Sequence, residues 1–375
     1  MTRLLALVLV ILSASTAIAA KRKLSVDVDT AEGKLLKQLT DEADPAKKLA
    51  GMEEFAAKHP AHESATWVLG EMTAAYSKAG QFSKAIAAGE KVFAADPDDL
   101  AIAQEVLKAA EASKDPAQIR KWALAASAAA RRVAAAPKPA AEDEAETWKA
   151  NVAFATHLDK YCDYALFALA LQSPAQRIEI GELLASHSPA SDYNKQLLPQ
   201  MFIAYQQAGN HQKALAIAEQ EAANDDMLIY AASKFYEQKD KAKATKYAKA
   251  LLEHLAAKPA PQGVAEADWT RNKNLKLGLA HWMLGVLASN DQKWAEADTN
   301  LRAALPYIKD NKDLAAETLF HLGLANYRLG DTKQPDKARI VDALKFSNQC
   351  AAIPGPYQAP ARKNAAAIRT QYRIQ

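Results

Sequence analysis

The sequence contains a long internal repeat. Residues 75–90 read AYSKAGQFSKAIAAGE, and residues 204–219 read AYQQAGNHQKALAIAE. The glycines of the two stretches, Gly80 and Gly209, lie 129 residues apart, and flanking Pro-Ala and Lys-Ala pairs keep the same offset. Self-similarity of this kind is typical of stacked repeat architectures. It constrains the fold more strongly than any other feature of the chain.

The composition predicts an all-α protein. Hydrophobic residues make up 50% of the chain, but aromatic residues only 7%, and glycine occurs 13 times in 375 residues. Much of the apolar content is alanine, which favours closely approaching helices, whereas strands favour β-branched and aromatic residues. The scarcity of glycine also makes tight hairpin turns rare.

Within the first repeat the spacing predicts a pair of helices. Tyr76 ends the apolar stripe of a first helix, and Gly80 permits the positive φ of a helix stop. Ala85 faces the first helix where the two axes cross, and only a small side chain fits there. Pro97 ends the second helix and opens the next repeat.

The second repeat carries Tyr205, Gly209 and Ala214 in the same register. This order of an aromatic residue, a glycine, a small residue and a proline resembles the tetratricopeptide (TPR) repeat. Looser matches continue toward the C-terminus, where HWMLGVLASNDQKWAEA and FHLGLANYRLGD keep the register. The resemblance implies a right-handed α-solenoid of stacked helix-turn-helix repeats.

The repeats divide the chain into four parts. We expect a signal peptide at 1–20, a first TPR-like segment at 21–173 and a second at 174–290. The remaining part, 291–375, is predicted to hold a C-terminal repeat and a capping helix, so that the segments after the signal peptide form one continuous solenoid.

The first twenty residues have the order of a secretory signal peptide. Arg3 precedes an apolar run of about nine residues, and Ala17-Ile18-Ala19 supplies a small-residue cleavage site. A membrane-spanning helix needs about twenty apolar residues. We therefore expect an exported bacterial protein, periplasmic or secreted, whose mature chain begins near Ala20 or Lys21 and is not stably inserted in a membrane.

The sequence offers no convincing catalytic, metal or cofactor site. HPAHE at 59–63 places two histidines three residues apart, but Pro60 lies between them and no third ligand follows at a metal-site spacing. Nucleophile-elbow, phosphate-loop and zinc-protease motifs are missing. The net charge of +3 is spread along the helices, without the basic stripe of a nucleic-acid binder. We expect a protein that is not an enzyme and needs no cofactor.

The resemblance also implies a binding face. In the TPR family the first helix of each repeat lines a concave groove, and the same register here gives five aromatic and three cationic candidates. They are Trp67, Tyr230, Trp282, Phe320, Tyr327, Lys78, Lys234 and Arg328. Such a groove suits a protein or peptide partner. The alternative, which the family pattern also allows, is that these aromatic residues pack between adjacent repeats.

The family's clamp for a peptide carboxylate is missing. The positions that match its lysines hold Gly70, Pro199, Tyr230 and Trp282. We therefore predict an exported scaffold that binds another kind of protein or peptide segment; the oligomeric state stays open. An envelope protein that binds or hydrolyses carbohydrate on a helical superhelix, and an assembly factor without a groove, remain as alternatives.

The predicted helix crossings can be tested by substitution. Ala85→Leu and Ala214→Leu should each lower the free energy of unfolding by about 1–3 kcal/mol, because a larger side chain overpacks the crossing. Denaturant unfolding of the two variants measures the change. A neutral result at either position would show that the register is wrong there.

Overall fold

The computed structural model describes residues 22–220 and 224–374, and no β-strand occurs among them. The predicted all-α fold class of helix-turn-helix repeats is therefore confirmed over this part of the chain. The proposed signal peptide, 1–20, lies outside the described residues. No helix in the described ranges has the length and apolar character needed to cross a membrane.

The chain divides into two compact units, 1–204 and 205–375. The helices that begin in unit 1 are α1 (Ala31–Asp41), α2 (Pro45–Lys58), α3 (Ala65–Lys78), α4 (Phe82–Ala95), α5 (Leu100–Ser113), α6 (Pro116–Ala134), α7 (Glu142–Gln172), α8 (Arg177–His187) and α9 (Asp192–Gln207). Those of unit 2 are α10 (His211–Gln220), α11 (Asp225–Glu237), α12 (Lys241–Ala256), α13 (Glu266–Asn290), α14 (Trp294–Ile308), α15 (Lys312–Gly330), α16 (Lys337–Ala351) and α17 (Gln358–Tyr372).

Consecutive helices pack on each other as pairs. In unit 1 the pairs are α3/α4, α5/α6 and α7/α8, and in unit 2 they are α11/α12, α13/α14 and α15/α16, with α17 against α16. The first helices of successive pairs also contact one another, α3 with α5 and α5 with α7 in unit 1, and α11 with α13 and α13 with α15 in unit 2. Each unit therefore has a layer of first helices and a layer of second helices. The predicted segment boundaries at 173 and 290 lie at the ends of α7 and α13.

Polar caps start many of these helices. The side chains of Thr30, Asp44, Asp99, Asp115, Asn224, Asp240, Asn311 and Asp336 each accept a hydrogen bond from a backbone N–H in the following turn. These N–H groups have no partner within the helix, and a capping side chain stabilises the helix by about 1 kcal/mol.

The turns inside the pairs share a left-handed residue. Gly80 and Gly209 both have φ of 71°, which glycine adopts without steric cost. At the corresponding turns after α5, α11 and α13 the same conformation is taken by Lys114, Lys239 and Gln292, with φ of 58–60°. The left-handed turn therefore also forms where lysine or glutamine takes the place of glycine.

Small residues lie where paired helices cross. Ala85, Ala244, Ala297 and Ala343 are among the alanines of the second helices that have no exposed surface, and Ala214 of α10 is equally buried. In the first helices, a Cβ atom on Gly285 would lie 2.5 Å from Leu301 Cγ, and one on Gly323 would lie 2.8 Å from Ser347 Oγ. A larger residue at either position would therefore require the facing side chain or helix to shift.

A buried carboxylate joins three helices of unit 2. Asp298 of α14 is 5% exposed and accepts hydrogen bonds from Arg302 Nε at 2.7 Å, from Asn326 Nδ2 of α15 at 2.7 Å, and from Arg339 of α16. Arg302 also reaches Asp342 of α16 at 2.6 Å. Burial works to raise the pKa of Asp298, but these three donors outweigh it and leave the pKa below its ordinary value.

Removing that carboxylate should be costly. Asp298→Ala leaves the buried Asn326 amide and two partly solvated guanidinium groups without their shared acceptor, and we expect a loss of about 2–3 kcal/mol of unfolding free energy. Asp342→Ala removes the more exposed acceptor of the same network and should cost no more than about 1 kcal/mol. Urea unfolding of both variants compares them. Equal losses would contradict the assignment of Asp298 as the centre of the network.

Candidate protein-interaction surface

Four half-buried aromatic side chains form a row across the first-helix layer of unit 2. They are Tyr236 on α11, Trp282 on α13, Phe320 on α15 and Tyr357 at the start of α17, and all four pack against the buried core of the unit. The ring centroids of Tyr236 and Trp282 are 5.1 Å apart, and so are those of Phe320 and Tyr357. We call these four residues the aromatic row.

A carboxylate lies beside the row. The Tyr357 hydroxyl donates to Glu317 Oε1 at 2.8 Å. Burial, followed by this hydrogen bond, raises the pKa of Tyr357. Burial and the charge of Glu317 raise the pKa of Tyr236 to about 12. Both phenols therefore stay neutral over the physiological range and can donate a hydrogen bond.

The indole of Trp282 is unusual within the row. Its Nε1 atom is buried and has no hydrogen-bond acceptor. A buried tryptophan N–H normally finds a partner, and leaving one unsatisfied costs about 1–3 kcal/mol. The row thus combines apolar area with a donor that an acceptor would stabilise.

Tyr230 and Lys234 lie on the same helix as Tyr236. The Tyr230 hydroxyl is 3.1 Å from His211 Nδ1, and Lys234 Nζ is 5.9 Å from the centre of the Tyr230 ring. Lys234 also pairs with Glu237 at 2.8 Å. The predicted cation is therefore neutralised by a neighbour on its own helix.

Tyr327 and Arg328 lie about two turns beyond Phe320 on α15. The Tyr327 hydroxyl donates to Gln371 Oε1 of α17 at 3.0 Å, and its ring packs against the small core that α16 and α17 share. Arg328 is exposed, and its guanidinium carbon is 5.9 Å from the ring centre of Trp294 on α14. Tyr327 thus contacts the capping helix.

Two of the predicted groove residues belong to unit 1. Trp67 is half-buried on α3, and Lys78 is exposed at the end of that helix. Of the eight predicted residues, the structure brings Trp282 and Phe320 into one row and pairs Tyr230 with Lys234. Whether any of the eight binds a partner stays a prediction.

Sequence reasoning did not select three members of this surface. Tyr236 occupies the register position at which Tyr76 and Tyr205 are buried, and this position indicates a core residue instead of a surface residue. Tyr357 and Glu317 carry no repeat signal, although Gly355-Pro356 ahead of Tyr357 marks a turn that sets this ring beside α15.

The HPAHE segment is part of a turn ahead of α3. His59 and His62 pack on the Phe55 ring at centroid distances of 5.2 and 5.4 Å. His62 Nδ1 accepts a hydrogen bond from the Ser64 backbone. Across the residues that the structure describes, no three His, Cys, Asp or Glu side chains come together as metal ligands.

One polar cluster of unit 1 resembles a hydrolase triad in composition only. Ser127 lies 2.8 Å from His187 Nε2, but its hydroxyl donates to Asp159, so the acid contacts the serine instead of orienting the histidine. Ser127 has no exposed surface. Burial and the neighbouring Arg131 lower the pKa of His187. This arrangement ties α6, α7 and α8 together and lacks the order of a nucleophile, a base and an orienting acid.

His321, next to Phe320, should make unit 2 sensitive to acid. It is buried, it lies 2.8 Å from Ser289 Oγ, and burial lowers its pKa to about 4. The neutral imidazole therefore stabilises the fold above the unfolded pKa of about 6.5, and this contribution is lost as the pH falls toward 4. Between pH 7.5 and 5 we expect a loss of about 2 kcal/mol from this group.

The variant His321→Gln isolates that contribution. Its unfolding free energy, measured in urea at pH 7.5 and pH 5, should depend less steeply on pH than that of the wild type by this amount. An identical pH dependence in both proteins would mean that His321 is not held neutral by the fold.

No family model and no curated protein match the sequence. Among solved structures, the chain is similar to the TPR domain of P58(IPK), with 13% sequence identity and a TM-score of 0.27 over 92% of this chain and 100% of the other. At this TM-score the two chains do not superpose as wholes. The assignment to a helix-pair repeat architecture therefore rests on the pairing of the helices themselves.

Proposed function

We propose that this protein is a non-catalytic, exported scaffold that binds a protein or peptide partner through the first-helix layer of unit 2. The observation that carries the proposal is the aromatic row, which crosses three successive first helices and the start of α17. Aromatic side chains that are packed from behind and open on one side are typical centres of protein interfaces.

The row suits a peptide segment with apolar anchors. Rings held by their neighbours lose little conformational freedom on binding, and each supplies a large contact area.

The sequence supports the remaining parts of the proposal. The residues before Lys21 have the order of a signal peptide, so the partner would be met in the periplasm or outside the cell. Two cations on the first helices of unit 2 are already engaged, Lys234 by a carboxylate and Arg328 by a ring, which does not favour a nucleic-acid partner.

Peptide selection tests the proposal directly. A displayed library of random peptides is enriched on the full-length protein, and the selected peptides are then measured against the variants Trp282→Ala and Phe320→Ala. A central aromatic residue contributes 2 kcal/mol or more, so we expect at least about 30-fold weaker binding to each variant.

Tyr307→Ala is the matched control. Tyr307 is an aromatic residue of the same unit, 42% exposed, but it lies on the second helix α14. Its removal should leave binding unchanged, and circular dichroism should show all three variants folded. Failure to enrich any peptide, or equal losses in the control, would refute the proposed surface.

A further inference from the structure

The first described residues of the chain lie against unit 1 as an extended segment. Residues 22–28 precede α1 and run past the starts of α3 and α5, without forming a helix themselves. We call them the strap. They include most of the basic run Lys21-Arg22-Lys23, which the proposed scaffold function leaves unexplained.

Arg22 anchors the strap in a site formed by two first helices. Its Nε lies 2.9 Å from Oδ2 of Asp99, and the two side chains are only 15% and 2% exposed. The other carboxylate oxygen, Oδ1, caps α5 by accepting from Ile102 N at 3.0 Å. A buried carboxylate of this kind needs a cation beside it, since burial of an unpaired charge is costly.

Gly70 makes room for the arginine. A Cβ atom at this position would lie 2.1 Å from a guanidinium nitrogen of Arg22 and 3.2 Å from its Cδ and Cζ. The arginine therefore lies directly on the backbone of α3. Gly70 is buried in the middle of a helix, where glycine is less favourable than alanine, so the gap it leaves for Arg22 explains its presence.

The rest of the strap is held through its backbone and by one surface pair. Ser25 N donates to Ser64 Oγ at 2.8 Å, and Ser64 Oγ donates back to the Ser25 carbonyl at 3.2 Å. Lys23 pairs with Glu63 at 2.9 Å in an exposed position, which contributes little to stability. The two backbone bonds do not depend on which residue occupies position 25.

The strap buries little apolar area. Leu24, Val26 and Val28 are 37%, 38% and 50% exposed. A segment held by one ion pair and a few hydrogen bonds, with its apolar side chains facing solvent, can detach without opening the core. The strap therefore has the character of a bound ligand.

We propose that Gly70, Asp99 and Ser64 form a binding site for an extended peptide. The peptide carries an arginine three residues before the residue whose backbone binds Ser64, and in this protein the strap itself occupies the site. A partner segment of the same chemistry would bind by displacing the strap. Because the strap is tethered, its effective concentration is on the order of millimolar, and a competitor must overcome that advantage. The site shares no residue with the aromatic row, so either proposal can be refuted without affecting the other.

Hydrogen exchange tests the docking of the strap in the full-length protein. We expect slow exchange of the Ser25 amide in the wild type, because it donates to Ser64 Oγ, and at least about tenfold faster exchange of this amide in Arg22→Ala and in Asp99→Asn, since each removes one charge of the buried pair. Asparagine caps helices as well as aspartate does, so Asp99→Asn keeps the start of α5 intact. A Ser25 amide that exchanges at the rate of an unfolded peptide in the wild type would overturn the proposal.

Peptide binding tests the specificity of the site. A fluorescent peptide with the sequence of residues 21–29, KRKLSVDVD, should bind the Arg22→Ala protein at least about tenfold more tightly than the wild type, whose own strap competes. The same peptide with alanine in place of arginine should not bind, nor should either peptide bind the Arg22→Ala/Asp99→Asn double variant. Equal binding of the two peptides, or no binding to Arg22→Ala, would show that the site does not recognise the arginine and that the strap lies there only because it is part of the chain.

Discussion

The close approach of paired helices is the constraint on which the rest of the structure depends. Fully buried alanines on the second helices and glycines such as Gly285 and Gly323 on the first leave no space for larger side chains at the crossings. Bulky residues of the first helices are then placed away from the crossings, on the open side of their layer. The aromatic row of unit 2 follows from this division between small residues at the crossings and large residues on the face.

Polar side chains add specificity to this packing. Asp298 joins α14, α15 and α16, while in the preceding pair Asp225 binds Lys258 at 2.5 Å and Lys276 at 2.5 Å. Alanine crossings alone are similar from one repeat to the next and would tolerate a mismatch of helices. A buried carboxylate with two cationic partners matches only its own neighbours, and thus selects one arrangement.

The sequence predicted the helix pairs because their signals are local. The spacing of Tyr76, Gly80 and Ala85 follows from the geometry of one helix, its stop and one crossing, all within ten residues. The candidate surface depends on longer relations. Trp282 and Phe320 could be placed on first helices by register, but no spacing within the sequence shows that Tyr357, after α16, meets Phe320, or that Glu317 lies between the two phenols.

The contacts of the strap were even less predictable from the sequence than those of the aromatic row. The basic run at 21–23 has an ordinary explanation next to a signal peptide, and Gly70 and Asp99 are separated from it by 48 and 77 residues when counted from Arg22. Taken alone, Arg22 is explained as a charge next to a signal peptide, Gly70 as a glycine within a helix and Asp99 as a helix cap. Only the three-dimensional structure shows that Arg22 contacts both Gly70 and Asp99.

The turns between paired helices have a consequence for the stability of each pair. Lys114, Lys239 and Gln292 hold a left-handed conformation that costs a residue with a side chain about 1 kcal/mol or more, whereas Gly80 and Gly209 adopt it freely. In a stack of repeats, stability is a sum of the intrinsic stability of each repeat and its contacts with neighbours. The pairs closed by lysine or glutamine therefore carry a turn cost that the packing of their helices must offset, whereas the turns closed by Gly80 and Gly209 carry none.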